Sequence, residues 1–350
     1  MTTLAFAGAG RITVVHGLAA RSVDGVRVTH VASRTMATAE ERAGQIKAIA
    51  CRYEDLPAGA DVVLVATPPA QHVTHALQAM AAGARVIVEK PLATTLAEAD
   101  ALVAASAAAG HALGYAENLA FAPVIVAALG LVAQLGPLHH VEVRALQGRP
   151  DWGGFLQADW GGGALFDLGV HPLAVALLLA RAAKGGDPDG GGRVVSVRAE
   201  LTGADDIDVD EQARMWITFA SGLVSRVEAS WASDQAAWDL QVASDTGVVR
   251  AELTPILSLE RDGEPVPLPT LPAGADIPQV HQFGYVVQLV DLLADFAAGR
   301  EPVMGAEFGR EVLELVCAAY ASAGRGGESV PLPFDGPRDR TPLQLWLDPA

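Results

Sequence analysis

The chain has 350 residues, 51% of them hydrophobic and only 5% aromatic, with 41 acidic against 24 basic side chains and a net charge of −17. Its length allows two domains with cores built mainly from Ala, Val and Leu, and its hydrophobic content excludes a disordered chain. No cluster of Lys and Arg interrupts the negative charge, so neither nucleic acid nor an anionic membrane surface is expected as a partner. Cys51 and Cys317 stand far apart and offer no disulfide framework, and no grouping of His, Cys, Asp or Glu has metal-ligand spacing, so no metal is expected. The first residues, MTTLAFAGAG, have no basic stretch ahead of their apolar run, which argues against a signal peptide and, with the cysteine usage, for a cytoplasmic location.

From the N-terminus, short β-branched runs alternate with Ala-rich helical stretches. TLAFAGAG (3–10), VRVTHVAS (26–33), DVVLVAT (61–67) and ARVIVEK (84–90) read as buried strands, while 36–49 and 71–82 carry helical spacing. This alternation predicts a parallel, doubly wound sheet with right-handed crossovers over residues 1–118. The apolar run 119–133 falls short of the about 20 residues that span a bilayer and contains Pro123 and Gly130, so it predicts a buried or interface helix.

From about residue 136 the pattern changes. Residues 138–147, 194–202, 213–220, 223–231 and 238–244 alternate apolar and polar side chains with period two, and turns containing Gly222 and Gly247 join several of them. A mostly antiparallel open sheet with one covered face follows, in a second, α+β domain over 119–350. Helices at 164–182, 283–298 and 306–323 are expected to cover that face, with KGGDPDGGGR (184–193) a surface loop.

Gly8 and Gly10 follow the first strand and precede a helix. A tight turn and close approach to a pyrophosphate both need glycine, and the helix start at Arg11 and Ile12 then faces the phosphates, the arrangement of a Rossmann dinucleotide site. The third fingerprint position is Thr13 instead of Gly or Ala, and its bulk predicts a helix set slightly outward; alone, the motif also suits a plain glycine turn. At the end of the second strand an NAD site usually offers a carboxylate to the ribose. Here Ser33 and Arg34 stand instead, which suits a 2′-phosphate and makes NADP(H) expected over NAD(H), the alternative being an exposed loop arginine with no ligand.

In the second domain, GGGALFDLGVHP (161–172) keeps Asp167 and His171 four residues apart among glycine and hydrocarbon. In a continuous helix that spacing stacks both on one face. They are either a polar pair satisfied inside a core or a functional face. Pro172 removes an amide donor and crowds the carbonyl of Leu168, predicting a kink or a helix restart, with or without functional meaning.

The stretch VATPPAQHVTHALQAMAAGARVIVEKPLA (65–93) resembles the glucose-fructose oxidoreductase, inositol dehydrogenase and rhizopine catabolism (Gfo/Idh/MocA) family of NAD(P)-dependent oxidoreductases. It carries that family's Thr-Pro pair at Thr67 and Pro68, its His at His72, and its Glu-Lys-Pro at Glu89, Lys90 and Pro91. GYAEN (114–118), GGGALFDLGVH and DVDEQARMWITFASGLVSRVEASW extend the resemblance over nearly the whole chain, with departures at Thr13 and in the YAEN variant of the Tyr-Asn pattern.

The resemblance implies that Thr67, Pro68, His72, Glu89 and Lys90 adjoin the cofactor and that Lys90, Asp167 and His171 are catalytic. On chemical grounds, the imidazole of His171 suits a proton carrier, Asp167 could orient it or bind a hydroxyl, and Lys90 ends a strand where open α/β sheets bind ligands. Asn118, Trp152 and Trp160 are candidates for the substrate side, though packing explains each as well. The expected activity is hydride transfer between a nicotinamide and a hydroxyl or keto carbon of a sugar, cyclitol or polyol, in a homodimer or homotetramer paired through the open sheet. The rivals within the family are a redox-assisted glycosidase or lyase that retains its cofactor, and a non-catalytic regulator.

Overall fold

The computed structural model describes residues 1–57, 59–110, 113–151, 153–183, 192–268 and 278–349. The chain opens with β1 (Thr2–Ala7), α1 (Arg11–Arg21), β2 (Val26–Ala32), α2 (Met36–Ile46), β3 (Ile49–Cys51), β4 (Val62–Val65), α3 (His72–Ala81), β5 (Arg85–Glu89), α4 (Leu96–Ala108) and β6 (Leu113–Ala116). Its six strands form one parallel sheet in the order β3-β2-β1-β4-β5-β6, the doubly wound arrangement that the alternating pattern implies. Two of these strands escape the hydrophobic pattern: β3 is three residues long, and β6 reads LGYA. Leu4, Phe6, Val31, Val62, Leu64 and Ile87 fill the core between sheet and helices.

The chain continues with α5 (Pro123–Val132), β7 (Leu138–Gly148), α6 (Ala164–Asp167), α7 (Val170–Ala182), β8 (Val194–Gly203), β9 (Asp210–Phe219), β10 (Val224–Ser230), β11 (Ala232–Ser244), β12 (Gly247–Thr254), β13 (Ser258–Arg261) and β14 (Glu264–Pro265). After α8 (Pro278–Gln282), α9 (Tyr285–Ala298) and α10 (Ala306–Gly324), the short β15 (Val330–Pro331) and α11 (Pro342–Leu347) end it. The second sheet has nine strands in the order β14-β13-β12-β11-β7-β10-β9-β8-β15. It is antiparallel except where β7 and β10 pair in parallel. Helix α7 lies on β7 and β10 and is apolar all round, so nearly every one of its residues is buried.

Two compact units result, Met1–Ala122 with Leu271–Glu311, and Pro123–Thr270 with Val312–Ala350. The boundary expected after residue 118 thus falls at 122, and 271–311 returns to the first unit. The apolar stripe of α9 explains the return, because Leu289, Leu292 and Phe296 join the core of the parallel sheet. Gly114 of β6 accommodates this packing, since a methyl there would lie 2.8 Å from the Leu292 side chain. The run 119–133 forms α5, whose buried face of Val124, Ile125, Ala128 and Val132 packs within the second unit on β12 and α7. Among the described residues no single helix is long and apolar enough to cross a membrane. Most of the 184–193 loop lies outside the described residues.

Candidate active site

At the carboxyl ends of β1, β2 and β4 lies a cavity of about 280 Å³ lined by Gly8, Ala9, Gly10, Ser33, Arg34, Thr35, Thr38, Tyr53, Ala66, Thr67, Pro68 and Gln71. It sits where the strand order reverses, between β1 and β4, the place where doubly wound sheets bind ligands. Gly8 has φ +118°, and a methyl on it would lie 2.3 Å from the carbonyl oxygen of Ala66. Only glycine fits. Gly10 is extended at the start of α1, and a methyl there would meet nothing within 4 Å. No side chain caps the helix that begins at Arg11 and Ile12, and a helix start of this kind suits an anion.

Thr13 departs from expectation. Its side chain is fully buried and its Oγ1 donates to the carbonyl of Gly8 at 2.9 Å, so the residue ties the helix to the glycine turn as well as occupying its space. Gly17, one turn on, leaves the room that α1 needs beside Ile46.

At the far end of the cavity Ser33, exposed Arg34, Thr35 and Thr38 follow β2, and Thr35 caps α2 through the amide of Thr38. No carboxylate belongs to the lining. Tyr53, which sequence reasoning missed, stacks on His75 with ring centroids 4.3 Å apart. Burial pushes the Tyr53 phenol up, while the charge of Arg34 pulls it down. Thr67 is buried and its hydroxyl finds no partner among the described residues, an orphaned group pointing to a ligand.

His72 lines no part of the cavity. It is buried, with Nε2 2.8 Å from the carbonyl of Thr67 and Nδ1 2.9 Å from that of Pro91, and so joins the Thr-Pro turn to the Glu-Lys-Pro loop. Burial holds its pKa below the ordinary value against the pull of those carbonyls and of Glu89. Glu89 is buried too. Its Oε1 meets His16 Nε2 at 2.5 Å, and its Oε2 accepts the amide of Lys90 at 2.9 Å. Burial pushes the Glu89 carboxyl up, but the bond and charge of His16 outweigh it and leave the group below the usual carboxylate range. Lys90 is half-buried at the end of β5. His16, unforeseen as a site residue, lies edge-on to Tyr285 at 5.3 Å.

In the second unit, Asp167 and His171 do not share a continuous helix. Asp167 ends α6, the backbone breaks at Leu168 and Gly169, and His171 lies in the first turn of α7, with a bend of 42° between the segment Ala158–Asp167 and α7. Pro172 sits in that first turn too, where a missing amide costs no helical bond. His171 is buried, its ring 5.8 Å from that of Trp238, and Asp167 is half-buried.

What holds this turn is a group that spacing could not reveal. Fully buried Asp210, at the start of β9, accepts the amides of Gly163 at 2.9 Å and Leu165 at 2.8 Å through its two oxygens, and the hydroxyl of Tyr320 as well. A methyl on Gly163 would lie 2.0 Å from the Asp210 carbonyl, and one on Gly162 would lie 2.5 Å from Phe166 Cβ. Gly163 therefore leaves the room in which Asp210 docks, and Gly162 leaves room for Phe166 and Tyr320. Burial pushes the Asp210 carboxyl above the usual range, against the hydrogen bonds from Leu165, Tyr320, Gly163 and its own amide that favour its charge. The signal available in the sequence was the acidic stretch DVDEQ, 208–212.

The remaining candidates divide. Asn118 is buried in the first unit and its amide donates to the carbonyl of Phe283 at 2.8 Å, a bond within the fold. Glu117 is fully buried and accepts the amide of Leu119. Trp160 packs on Phe155 at 4.4 Å with its indole N–H buried and without a partner among the described residues. Trp152 lies outside the described residues. Among the described residues no group of three or more His, Cys, Asp or Glu could hold a metal.

Two family models match the chain: an oxidoreductase family with an NAD-binding Rossmann fold over residues 2–116, and the GFO/IDH/MocA C-terminal domain over 132–250. The chain is 31% identical over 303 residues to a putative UDP-kanosamine synthase oxidoreductase subunit of Amycolatopsis mediterranei, covering 77% of this chain and 81% of that protein. It is 30% identical over 359 residues to the D-apiose dehydrogenase of Paraburkholderia graminis, covering 94% and 89%. The crystal structure of GenD2 from gentamicin A biosynthesis, in complex with NAD, superposes with a TM-score of 0.81 at 26% identity over 95% of this chain and 96% of that one.

Proposed function

Because the chain belongs to the Gfo/Idh/MocA family of NAD-binding oxidoreductases, we propose that it is an NADP(H)-dependent dehydrogenase or reductase acting on a hydroxyl or keto carbon of a sugar, cyclitol or related polyol. The observation that carries the reading is the cavity at the switch point. Gly8 permits a turn that no other residue fits, the uncapped amides of α1 suit a pyrophosphate, and the orphaned Thr67 hydroxyl suits a cofactor amide or hydroxyl. Ser33, Arg34, Thr35 and Thr38 offer hydroxyls and a guanidinium with no carboxylate, which supports the 2′-phosphate of NADP(H) over NAD(H).

A bound nicotinamide supplies the hydride acceptor or donor. This chain's own task is the proton on the sugar oxygen. His171 and Lys90 are assigned to hold and move it, and Asp167 to orient His171 or bind a neighbouring hydroxyl. His72 and the His16–Glu89 pair fix the Thr67 and Lys90 loops from behind, so they position and do not react. A cytoplasmic homodimer or homotetramer belongs to the same proposal. The test is oxidation of a sugar and polyol panel with NADP+ and NAD+ by the wild type, Lys90→Ala and His171→Ala. Each variant is expected to lose at least about 10²-fold in turnover while still binding the dinucleotide. Unchanged turnover in either variant contradicts its assigned role.

A further inference from the structure

At the carboxyl ends of β5 and β6 two carboxylates, Glu89 and Glu117, lie buried within the first unit. Taking a carboxylate out of water is costly unless a cation meets it. Both oxygens of Glu89 are met, one by His16 Nε2 at 2.5 Å and one by the amide of Lys90 at 2.9 Å. Glu117 is fully buried, and its Oε1 accepts the amide of Leu119 at 3.2 Å, a neutral donor that supplies no counter-charge.

The strand register points to the cation. Glu89 pairs with Ala116, so Lys90 and Glu117 are the next residues on two adjacent strands. The amide of Glu117 turns back to the carbonyl of Tyr115 at 2.9 Å, which holds its backbone at that end of β6. Lys90 is half-buried, and after burial and His16 its charge is the next to act on the Glu89 carboxyl, so the ammonium lies on the side of the buried acids. Glu117 faces the same space: burial pushes the phenols of Tyr115 and Tyr285 up, and the charges of Glu89 and Glu117 push both further. Among the other groups gathered here, His16 on α1 is bonded to Glu89, and His72 on α3 to the carbonyls of Thr67 and Pro91. On α10, which packs on Tyr115 through Gly309, Arg310 is bonded to Asp100 at 2.9 Å and Glu307 is exposed.

We propose that Glu117 is a positioning residue whose carboxylate receives the Lys90 ammonium, keeping it charged and aimed, so that Lys90 serves as a fixed hydrogen-bond donor to the sugar oxygen. A lysine taken from water loses its proton readily, and a carboxylate beside it opposes that loss. The proposal rests on the dehydrogenase reading and divides its roles. On oxidation the carbinol hydrogen leaves as hydride for the nicotinamide, the hydroxyl proton goes to His171, and Lys90 keeps its own protons.

The test needs no substrate. The chain's lysines are Lys47, Lys90 and Lys184, so reductive methylation with isotope-labelled formaldehyde, which keeps each charge, makes each one visible to an NMR titration. It is done on the full chain with NADP+ bound, and Lys90→Arg identifies the Lys90 signal. In Glu117→Gln, which keeps an acceptor for Leu119, the Lys90 midpoint is expected to fall by at least about one pH unit while those of Lys47 and Lys184 stay. Glu117→Asp, which keeps the charge, is expected to restore most of the fall. A Lys90 midpoint that moves no further than the other two overturns the proposal. Stability reads the same pair should Glu117→Gln fold poorly: Lys90→Met is expected to lower the urea midpoint, and adding Glu117→Gln to raise it again. Additive losses overturn the pairing. On the sugar and polyol panel, the basic limb of kcat in Glu117→Gln is expected to enter about one pH unit lower or more. A moved Lys90 midpoint with no sugar oxidised keeps the pair and removes the dehydrogenase reading, whereas sugar oxidised with an unmoved midpoint keeps that reading and removes the pair.

Discussion

The two units build their candidate sites by opposite means. In the first, the site is backbone. Strand ends bring Gly8, Ser33, Ala66 and Thr67 to one cavity, and the start of α1 supplies amides that no side chain caps. In the second, the site is a short broken helix that does not hold itself. Asp210 and Tyr320, 47 and 157 residues away from Gly163, clamp it through buried hydrogen bonds. A site made of consecutive backbone is local and robust to side-chain change, whereas one held by a remote carboxylate fails when that carboxylate is altered.

The largest expected effects follow from the glycines, because each unit has one that tolerates no methyl. Gly8→Ala forces a side chain against the Ala66 carbonyl at a left-handed φ, and is expected to weaken NADPH binding by at least about 100-fold, about 2.7 kcal/mol. Gly163→Ala forces a methyl to 2.0 Å from the Asp210 carbonyl and is expected to remove sugar turnover while sparing NADPH affinity. Isothermal calorimetry for the cofactor and initial rates for the sugar check both, and equal losses of cofactor binding in the two variants break the contrast.

Next comes the buried pair of the first unit. His16→Ala leaves Glu89 a buried carboxylate without its partner and is expected to cost about 3 kcal/mol in urea unfolding. Because the folded Glu89 lies below the usual carboxylate range, its contribution is present at neutral pH and is lost as pH falls through that folded value. The variant is therefore expected to show less loss of stability on acidification than the wild type. A smaller effect is expected at the rim of the cavity, where Arg34→Ala should weaken NADPH about tenfold and leave NADH nearly unchanged, as quenching of tryptophan fluorescence would show. Equal weakening of both nucleotides removes the case for the 2′-phosphate.

The same contrast explains what the sequence made legible. The parallel sheet could be read because its strands are short buried runs between helices, and the glycine turn because Gly8 and Gly10 act on their immediate neighbours. The strands β3 and β6 were too short to show a period, and no local pattern tells that α9 returns to the first unit. Thr13 was read by its size, while its hydroxyl bond to Gly8 depends on a turn not yet built. Asp167 and His171 were found by their spacing, but a break at Leu168 and Gly169 replaces the single helix that spacing assumed. Asp210 and Tyr320 were missed for a plain reason. An acid within DVDEQ at a strand start and a tyrosine in a long helix do not tell which partner far along the chain each meets.

The claim that the second site is held by a clamp of its own is tested most directly by Asp210→Asn, which keeps the shape of the side chain and removes its charge and one acceptor oxygen. NADPH affinity and sugar kcat and KM would be measured on the same preparation, with Tyr320→Phe as a milder companion. The account predicts unchanged NADPH affinity, a fall in kcat of at least about tenfold, and a smaller loss in Tyr320→Phe. Unchanged kcat in Asp210→Asn, or a loss of NADPH affinity as large as the loss of turnover, would contradict it.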